Sequence, residues 1–110
     1  MDEITVERVL RIVELVPEAR VVSYGTVGLV ASRSPRFVGR VMKEFGSNVT
    51  WWRVVNAAGV LPESLLPAAR ERWDDEGTPH SHEKAHRSAF VDVDELQALW
   101  QTRGIDPECR

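Results

Sequence analysis

Residues 21–60, VVSYGTVGLVASRSPRFVGRVMKEFGSNVTWWRVVNAAGV, decide the fold, because they predict two short helices followed by a strand. The first predicted helix covers residues 26–32 and follows a Ser-Tyr-Gly tripeptide. The second begins at Ser34 and Pro35, since serine is a preferred helix N-cap and proline suits the first helical position. Two helices joined by so short a turn predict a helix-turn-helix unit.

The second predicted helix has an apolar face and a cationic face. Apolar side chains recur on one face at the 3.6-residue period, at Val38, Val41, Met42 and Phe45. The other face carries the cations Arg36, Arg40 and Lys43. Helices that contact phosphates have this arrangement, so the pattern favours DNA binding. For any one of these charges, the alternative interpretation is an ordinary solvated surface.

After this helix, residues 49–57 predict a strand. Its aromatic and β-branched residues stand close together, at Trp51, Trp52, Val54 and Val55. Ala58 and Gly59 then supply a turn. The two indoles would alternate along such a strand, so that one enters the core and the other packs on the surface.

Composition indicates one domain that spans residues 1–110. Of the 110 residues, 43% are hydrophobic and 28% are charged, which is ordinary for a soluble globular protein. No apolar run approaches the roughly 18 residues that span a membrane, and the Met-Asp-Glu start is unlike a secretory signal. We therefore expect a cytoplasmic protein with no membrane partner.

Net charge is unusual for a protein that binds nucleic acid. The 14 lysines and arginines against 17 acidic residues give −3, whereas most domains held on DNA by phosphate contacts are basic. The charge is polarised, however. Cations concentrate at Arg33, Arg36, Arg40 and Lys43, while acidic residues gather at 2–18, 63–76 and 92–95. The net charge therefore does not exclude DNA as a partner.

Three further helices are predicted to support this central stretch. The first is capped at Thr5, ends before Pro17 and carries an apolar stripe at Val6, Val9, Leu10, Val13 and Val16. The next covers about residues 65–76, closes at Gly77 and has helical spacing at Leu65, Ala68, Ala69 and Trp73. The last is capped by Asp92 or Asp94 and carries Leu96, Leu99 and Trp100.

Residues 78–88, TPHSHEKAHRS, are polar and irregular, and we interpret them as a surface insertion loop. His82 and His86 would share a face if the segment were helical, but a metal site needs a third ligand that the sequence does not supply. A single cysteine, Cys109, excludes an intramolecular disulfide and stands one residue from the end of the sequence. We therefore expect neither a metal nor any other cofactor.

The central stretch resembles the DNA-binding domain of O6-alkylguanine-DNA alkyltransferases, in which V-S-Y and A-R-x-V-G precede P-C-H-R-V-V. The corresponding segments are VSY at 22–24, PRFVG at 35–39 and TWWRVV at 50–55, and NAAG at 56–59 is similar to the N-A-x-G of the family. Weaker similarity runs from the first helix to Gly77. The resemblance implies a mainly α fold, a helix-turn-helix or winged-helix DNA-binding domain with a short β-element.

Two substitutions in this motif bear on activity. The nucleophilic cysteine of the family falls on Trp51, and the histidine that helps to activate it falls on Trp52. Replacement of the cysteine by tryptophan is typical of alkyltransferase-like proteins, which bind alkylated bases without repairing them. The resemblance therefore implies that the chain is not an enzyme. Trp52 is a departure, because enzymes and alkyltransferase-like proteins both normally retain the histidine.

Other site residues follow from the same resemblance. Tyr24 matches the tyrosine that pushes the phosphate of the target nucleotide, and Arg36 matches the arginine finger that fills the space left by the flipped base. Gly39 permits close approach in the minor groove, where Arg40 is bulkier than the residue that the family usually has. Lys43 is expected to contact phosphate. The expected lesion pocket consists of Trp51, Trp52, Arg53 and Val54.

The implied function is recognition of DNA damage. The protein is expected to bind and flip O6-alkylguanine in duplex DNA and, as a monomer, to mark the lesion for nucleotide excision repair proteins. The alternative is a winged-helix regulator or interaction domain without lesion specificity. An active alkyltransferase is a third possibility, but it would require Cys109 as nucleophile.

Overall fold

The computed structural model describes residues 2–107, which form five α-helices and a two-stranded sheet. The helices are α1 (Glu3–Val13), α2 (Tyr24–Ala31), α3 (Pro35–Phe45), α4 (Leu66–Glu76) and α5 (Val93–Arg103). The strands are β1 (Val22–Ser23) and β2 (Val54–Val55), and short 3-10 helices cover Gly46–Asn48, Trp51–Arg53 and Arg87–Ala89. This mainly helical fold with a short β-element confirms the predicted fold class.

Helices α2 and α3 form the predicted helix-turn-helix unit. Ser34 caps α3 by accepting a hydrogen bond from the Phe37 backbone at 3.1 Å, and Pro35 occupies the first turn, as expected. Ser23 caps α2 through the backbone N–H of Thr26, so α2 begins at Tyr24, two residues earlier than predicted.

The turn between these helices requires close backbone approach at Gly28. A Cβ at this position would lie 2.4 Å from the carbonyl oxygen of Arg33, a distance at which atoms overlap. The Arg33 N–H donates to the Gly28 carbonyl at 2.8 Å, and Ser32 takes the left-handed conformation with φ 59°. These contacts fix the angle at which α3 leaves α2.

The sheet separates two clusters of buried apolar side chains. Strands β1 and β2 run parallel, with Val22 opposite Val54 and Ser23 opposite Val55. Val22 and Val54 belong to the first cluster, together with side chains of α1, α2, α3 and α5. Val21 and Val55 belong to the second cluster, which contains Leu61, Ala69, Trp73, Ala85 and Ala89. Successive strand residues point to opposite faces, so this pair of strands contributes to both cores.

Helix α1 differs from its predicted bounds at both ends. Asp2 is the N-cap, because its carboxylate accepts hydrogen bonds from the Ile4 backbone and the Thr5 hydroxyl. Thr5 is therefore buried inside the first turn and does not cap the helix. At the other end the helix stops at Val13, and tighter turns lead to Pro17.

The predicted strand at residues 49–57 is wrong except at Val54 and Val55. Trp51 and Trp52 lie in a 3-10 helix, where the Trp51 N–H donates to the Val49 carbonyl at 2.8 Å and the Arg53 N–H donates to that of Thr50 at 3.0 Å. Consequently the two indoles do not alternate along a strand. The β-preference of such residues reflects packing on a sheet surface, and here contacts with the rest of the fold favour a turn.

The later helices follow the sequence more closely. Helix α4 ends at Glu76, and Gly77 takes the predicted left-handed position with φ 75°. Asp92 caps α5 in a capping box with Glu95. Three side chains expected in the core are exposed, because they lie at helix ends or on outer faces: Phe45, Leu65 and Ala68.

Segment 78–88 is exposed along most of its length but is attached at two buried residues, Thr78 and Ala85. The His80 imidazole lies 2.7 Å from the Asp74 carboxylate and packs against the Trp73 ring. Within residues 2–107 no three metal-binding side chains are grouped to hold an ion, and none of the helices described is long and apolar enough to cross a membrane. Cys109 lies outside the described residues. The interpretation of residues 78–88 as an insertion stays a prediction.

A buried ion pair joins distant parts of the chain. Arg53 donates two hydrogen bonds to the Glu76 carboxylate and a third, of 2.8 Å, to the Val16 carbonyl oxygen. The Ala19 N–H also donates to Glu76, at 3.4 Å. Burial alone would raise the pKa of Glu76, but hydrogen bonds from Arg53, with the charge of Arg53, hold that pKa below its ordinary value.

We predict that Glu76→Gln lowers the free energy of unfolding at pH 7 by about 1.5–3 kcal/mol, because hydrogen bonds to a charged group are lost. A carboxyl whose pKa is depressed in the folded state stabilises the protein above its unfolded pKa of about 4.3, and that stability is lost as the pH falls through the folded value. The variant should therefore lose less stability than the parent on acidification. Chemical denaturation at pH 7 and below pH 4 measures both effects.

Glu71→Gln is the matched control, since this exposed carboxylate lies on the same helix. Equal stability and equal acid sensitivity in the two variants would contradict a structural role for the pair.

Candidate nucleic-acid interface

A cavity of about 680 Å³ opens between α3, the Trp51–Arg53 turn and the loop that precedes α4. We call it the lesion cavity, after the pocket that the sequence predicts. Its lining includes residues predicted for the site from four separate segments: Tyr24, Gly39, Lys43, Trp51 and Val54. The fold therefore brings together residues of α2, of α3 and of the segment that contains Trp51 and Val54.

The remaining wall was not predicted. It comes from the end of α3 and from the 61–65 loop, with Met42, Ser47, Leu61, Pro62, Ser64 and Leu65. For Leu61, Pro62 and Ser64 periodicity gives no signal, since these three residues belong to no helix or strand. The only signal was their position directly after NAAG, at the end of the stretch that resembles the alkyltransferase motif.

Trp51 belongs partly to the cavity and partly to the core. Its indole is half-buried and meets the Trp52 ring edge to face, with the ring centroids 5.7 Å apart. It packs against the second cluster while it also lines the lesion cavity. An aromatic surface held in this way is rigid and accessible, as a binding wall for a flat base requires.

Tyr24 enters the cavity from the first turn of α2. It is half-buried, and burial raises the pKa of its phenol above the ordinary value. The hydroxyl therefore stays protonated at neutral pH and is able to donate a hydrogen bond, for example to a phosphate oxygen.

Gly39 is not required by the packing of the protein itself. A Cβ at this position would meet no heavy atom of the described chain within 4 Å, although glycine in a helix costs roughly 0.5–1 kcal/mol relative to alanine. An alanine would therefore fit at this position without a clash with the described chain.

The other predicted DNA-binding residues lie on the exposed surface of α3. Arg36 is in the first turn of the helix, and Arg40 stands one turn later, beside Glu44 at 3.6 Å. Neither lines the lesion cavity. Among the described residues no carboxylate pairs with Arg36 or Lys43, so both cations are available to an external anion.

Trp52 and Arg53, assigned to the lesion pocket from the sequence, do not line the cavity. Consecutive side chains of a 3-10 helix are spaced by about a third of a turn, and this spacing points them away from Trp51. The Trp52 carbonyl accepts a hydrogen bond from the Trp73 indole at 2.7 Å, and the Arg72 guanidinium lies 4.6 Å from the centre of the Trp52 ring. The Trp52 ring therefore packs against Trp51, and the Arg53 guanidinium packs over the Trp52 ring.

Comparison with known proteins agrees with this geometry. The sequence profile of the family described as "6-O-methylguanine DNA methyltransferase, DNA binding domain" matches residues 5–78. Proteins named "DNA base-flipping protein" from Escherichia coli (strain K12) and Shigella flexneri are each 42% identical over 70 residues, which are 60% of this chain and 54% of theirs. The chain thus spans about half the length of these relatives.

The fold is also similar to a solved structure, the crystal structure of S. pombe Atl1 in complex with damaged DNA containing O6-carboxymethylguanine. The TM-score is 0.62 and the identity 24%, over 70% of this chain and 79% of the other. This likeness shows a shared fold. Together with the profile match, it confirms the resemblance found in the sequence: the chain belongs to the family of the 6-O-methylguanine DNA methyltransferase DNA-binding domain.

Proposed function

We propose that the protein binds O6-alkylguanine in duplex DNA, rotates the damaged nucleotide into the lesion cavity and holds it there without transferring the alkyl group. The observation that carries this proposal is the cavity beside Trp51. Its volume of about 680 Å³ is in the range of small-molecule sites, and Trp51, Val54 and Leu61 offer apolar surface to a base and its alkyl group.

Entry of the base requires that it leave the stack, at a cost of a few kcal/mol. An O6-alkyl group weakens base pairing and so lowers that cost for damaged guanine. Tyr24 lines the cavity, and in this proposal its hydroxyl engages the phosphate of the rotating nucleotide. Arg36 stands free on α3 to fill the space that the base leaves.

Alkyl transfer requires a nucleophile, and the cavity wall has an indole where the resemblance places the cysteine of the enzymes. The sequence contains a single cysteine, Cys109, which lies outside the described residues. Without a thiolate to accept the alkyl group the complex does not turn over.

Binding therefore gives a long-lived complex in which the damaged nucleotide is extruded from the duplex. We propose that this complex is recognised by nucleotide excision repair proteins. The relatives named DNA base-flipping protein, and the Atl1 complex with damaged DNA, support the binding step. The repair step is tested separately, in a reconstituted excision reaction on a bulky O6 adduct. Excision that is no faster when the protein is added would remove this step and leave the binding step untouched.

We predict that the protein prefers O6-methylguanine to guanine and does not remove the methyl group. A duplex with O6-methylguanine should bind more tightly than the same duplex with guanine, because the lesion lowers the cost of extrusion and its methyl group meets the apolar wall. Fluorescence anisotropy with both duplexes at one salt concentration measures the ratio of dissociation constants. A labelled methyl group should remain on the DNA. A ratio near one would favour the winged-helix regulator, and stoichiometric label on the protein would identify an enzyme.

Arg36 and Lys43 should act differently although both are cations on α3. Arg36→Ala is expected to reduce lesion preference, because an inserted side chain stabilises only the extruded state. Lys43→Ala should weaken binding to damaged and undamaged duplex alike and lower the salt slope by about one. Titrations of both duplexes over a range of salt separate these effects. Identical losses in the two variants would mean that Arg36 contributes only charge.

Trp51→Ala tests the pocket wall directly. Truncation of a fully buried tryptophan costs about 3–5 kcal/mol, and we expect a smaller loss because the Trp51 indole is already open to solvent on one side. The folded variant should lose preference for O6-methylguanine. Trp100→Ala is the matched control and should leave the preference intact where the protein remains folded, since Trp100 is also half-buried but lies on α5 and does not line the cavity. Full discrimination by Trp51→Ala would refute the assignment.

A further inference from the structure

A second cleft, of about 840 Å³, lies beside the turn that follows β2. We call it the basic cleft. One side is formed by Ala57 and Ala58 of the NAAG turn, and the other by Lys84, His86, Arg87 and Phe90. The family match ends at residue 78, so the second side comes from a part of the chain outside that match.

The cleft is held open by backbone contacts, which give it a defined shape. The Ala85 N–H donates to the Gly59 carbonyl at 2.9 Å, and a Cβ at Gly59 would lie 2.5 Å from the Ala85 carbonyl oxygen. The His86 Nδ1 accepts a hydrogen bond from the Ser88 N–H at 3.1 Å and thereby caps the 3-10 helix that begins with Arg87. Arg87 is thus positioned at a structured turn.

The charge of the cleft is uncompensated. Of the described residues that line it, none is acidic, and Lys84 and Arg87 are exposed and make no ion pair within residues 2–107. Five other arginines form ion pairs, Arg8–Asp106, Arg11–Glu7, Arg20–Glu95, Arg40–Glu44 and Arg53–Glu76, so within residues 2–107 Arg87 belongs with Arg36 among the arginines that form none. Two unpaired cations beside the half-buried Phe90 form a surface suited to phosphates and sugars.

The sheet places this cleft next to the lesion cavity. Strands β1 and β2 are parallel, with Ser23 opposite Val55, so that Tyr24 and Asn56 leave the sheet at the same edge. Tyr24 and Val54 line the lesion cavity, whereas Ala57, three residues after Val54, lines the basic cleft. Because Ala57 lies in a turn, three residues of chain separate the two linings by at most about 10 Å.

We propose that the basic cleft binds backbone phosphates of the same duplex on one flank of the extruded nucleotide. This inference rests on the proposed function and adds a second contact surface to it. Duplex DNA carries one charge per about 1.7 Å of its axis, so an offset of at most about 10 Å corresponds to a distance of only a few base pairs. The contact supplies affinity and register, and it does not read the lesion.

Lys84→Ala and Arg87→Ala test this inference, because both side chains are exposed and their backbone contacts remain. Each variant should bind duplex roughly two- to fivefold more weakly at low salt and show a salt slope smaller by about one. The ratio of affinities for O6-methylguanine and guanine duplexes should stay at the parent value. Arg87→Lys, which keeps the charge, should restore most of the affinity.

The matched control is Arg103→Ala, which removes an exposed cation from the last turn of α5, outside the lining of either cavity. Two shortened duplexes add a directional test. One ends a few base pairs from the lesion on its 5′ side, and the other ends a few base pairs from it on its 3′ side. The effect of Arg87→Ala should vanish on one of them and persist on the other.

Losses no greater than that of Arg103→Ala, or an effect that persists on both shortened duplexes, would overturn the inference while leaving lesion binding in place. Failure of the parent protein to bind either duplex would overturn the proposed function and the inference together.

Discussion

The ion pair between Arg53 and Glu76 fixes the position of the short turn that carries Trp51, one of the residues that line the lesion cavity. Arg53 closes the short turn that begins with Trp51, and Glu76 is the last residue of α4. The same guanidinium holds the Val16 carbonyl at the end of the first helical segment. Two buried charges are costly to desolvate, so such a pair is weak evidence of added stability. The pair joins three segments that share no secondary structure. It thereby fixes the position of the backbone from which Trp51 projects.

The lesion cavity lies where the two clusters of apolar side chains meet. Val54 belongs to the first cluster and Leu61 to the second, and both line the cavity. Trp51 packs on the second cluster through Trp52 and leaves one side open. Each wall is therefore supported by a different core, which allows a binding site to remain open without a cavity inside either core.

The sequence predicted several helix ends, because a helix end depends on residues that are close together in the chain. Ser34 and Pro35 announce the start of α3 and Gly77 the end of α4, because caps act through neighbouring backbone groups. The Trp51–Arg53 turn was missed, since its conformation depends on contacts with Trp73, Arg72 and Glu76 far along the chain. The family resemblance assigned both Trp51 and Trp52 to the pocket, whereas in the structure Trp51 lines the cavity, together with Tyr24, and Trp52 does not. The basic cleft depends on the contact between Gly59 and Ala85, which no periodicity reveals.

The open space above Gly39 places stability and recognition in opposition at one residue. Alanine would fit there without a clash and would favour the helix, so selection for thermal stability alone would exchange the glycine. If α3 lies in a DNA groove as proposed, the added methyl group would keep the helix backbone away from the duplex. Directed evolution of a heat-resistant form would therefore need a DNA-binding screen from the first round, since the easiest gain in melting temperature on this helix lies at the surface that DNA would occupy.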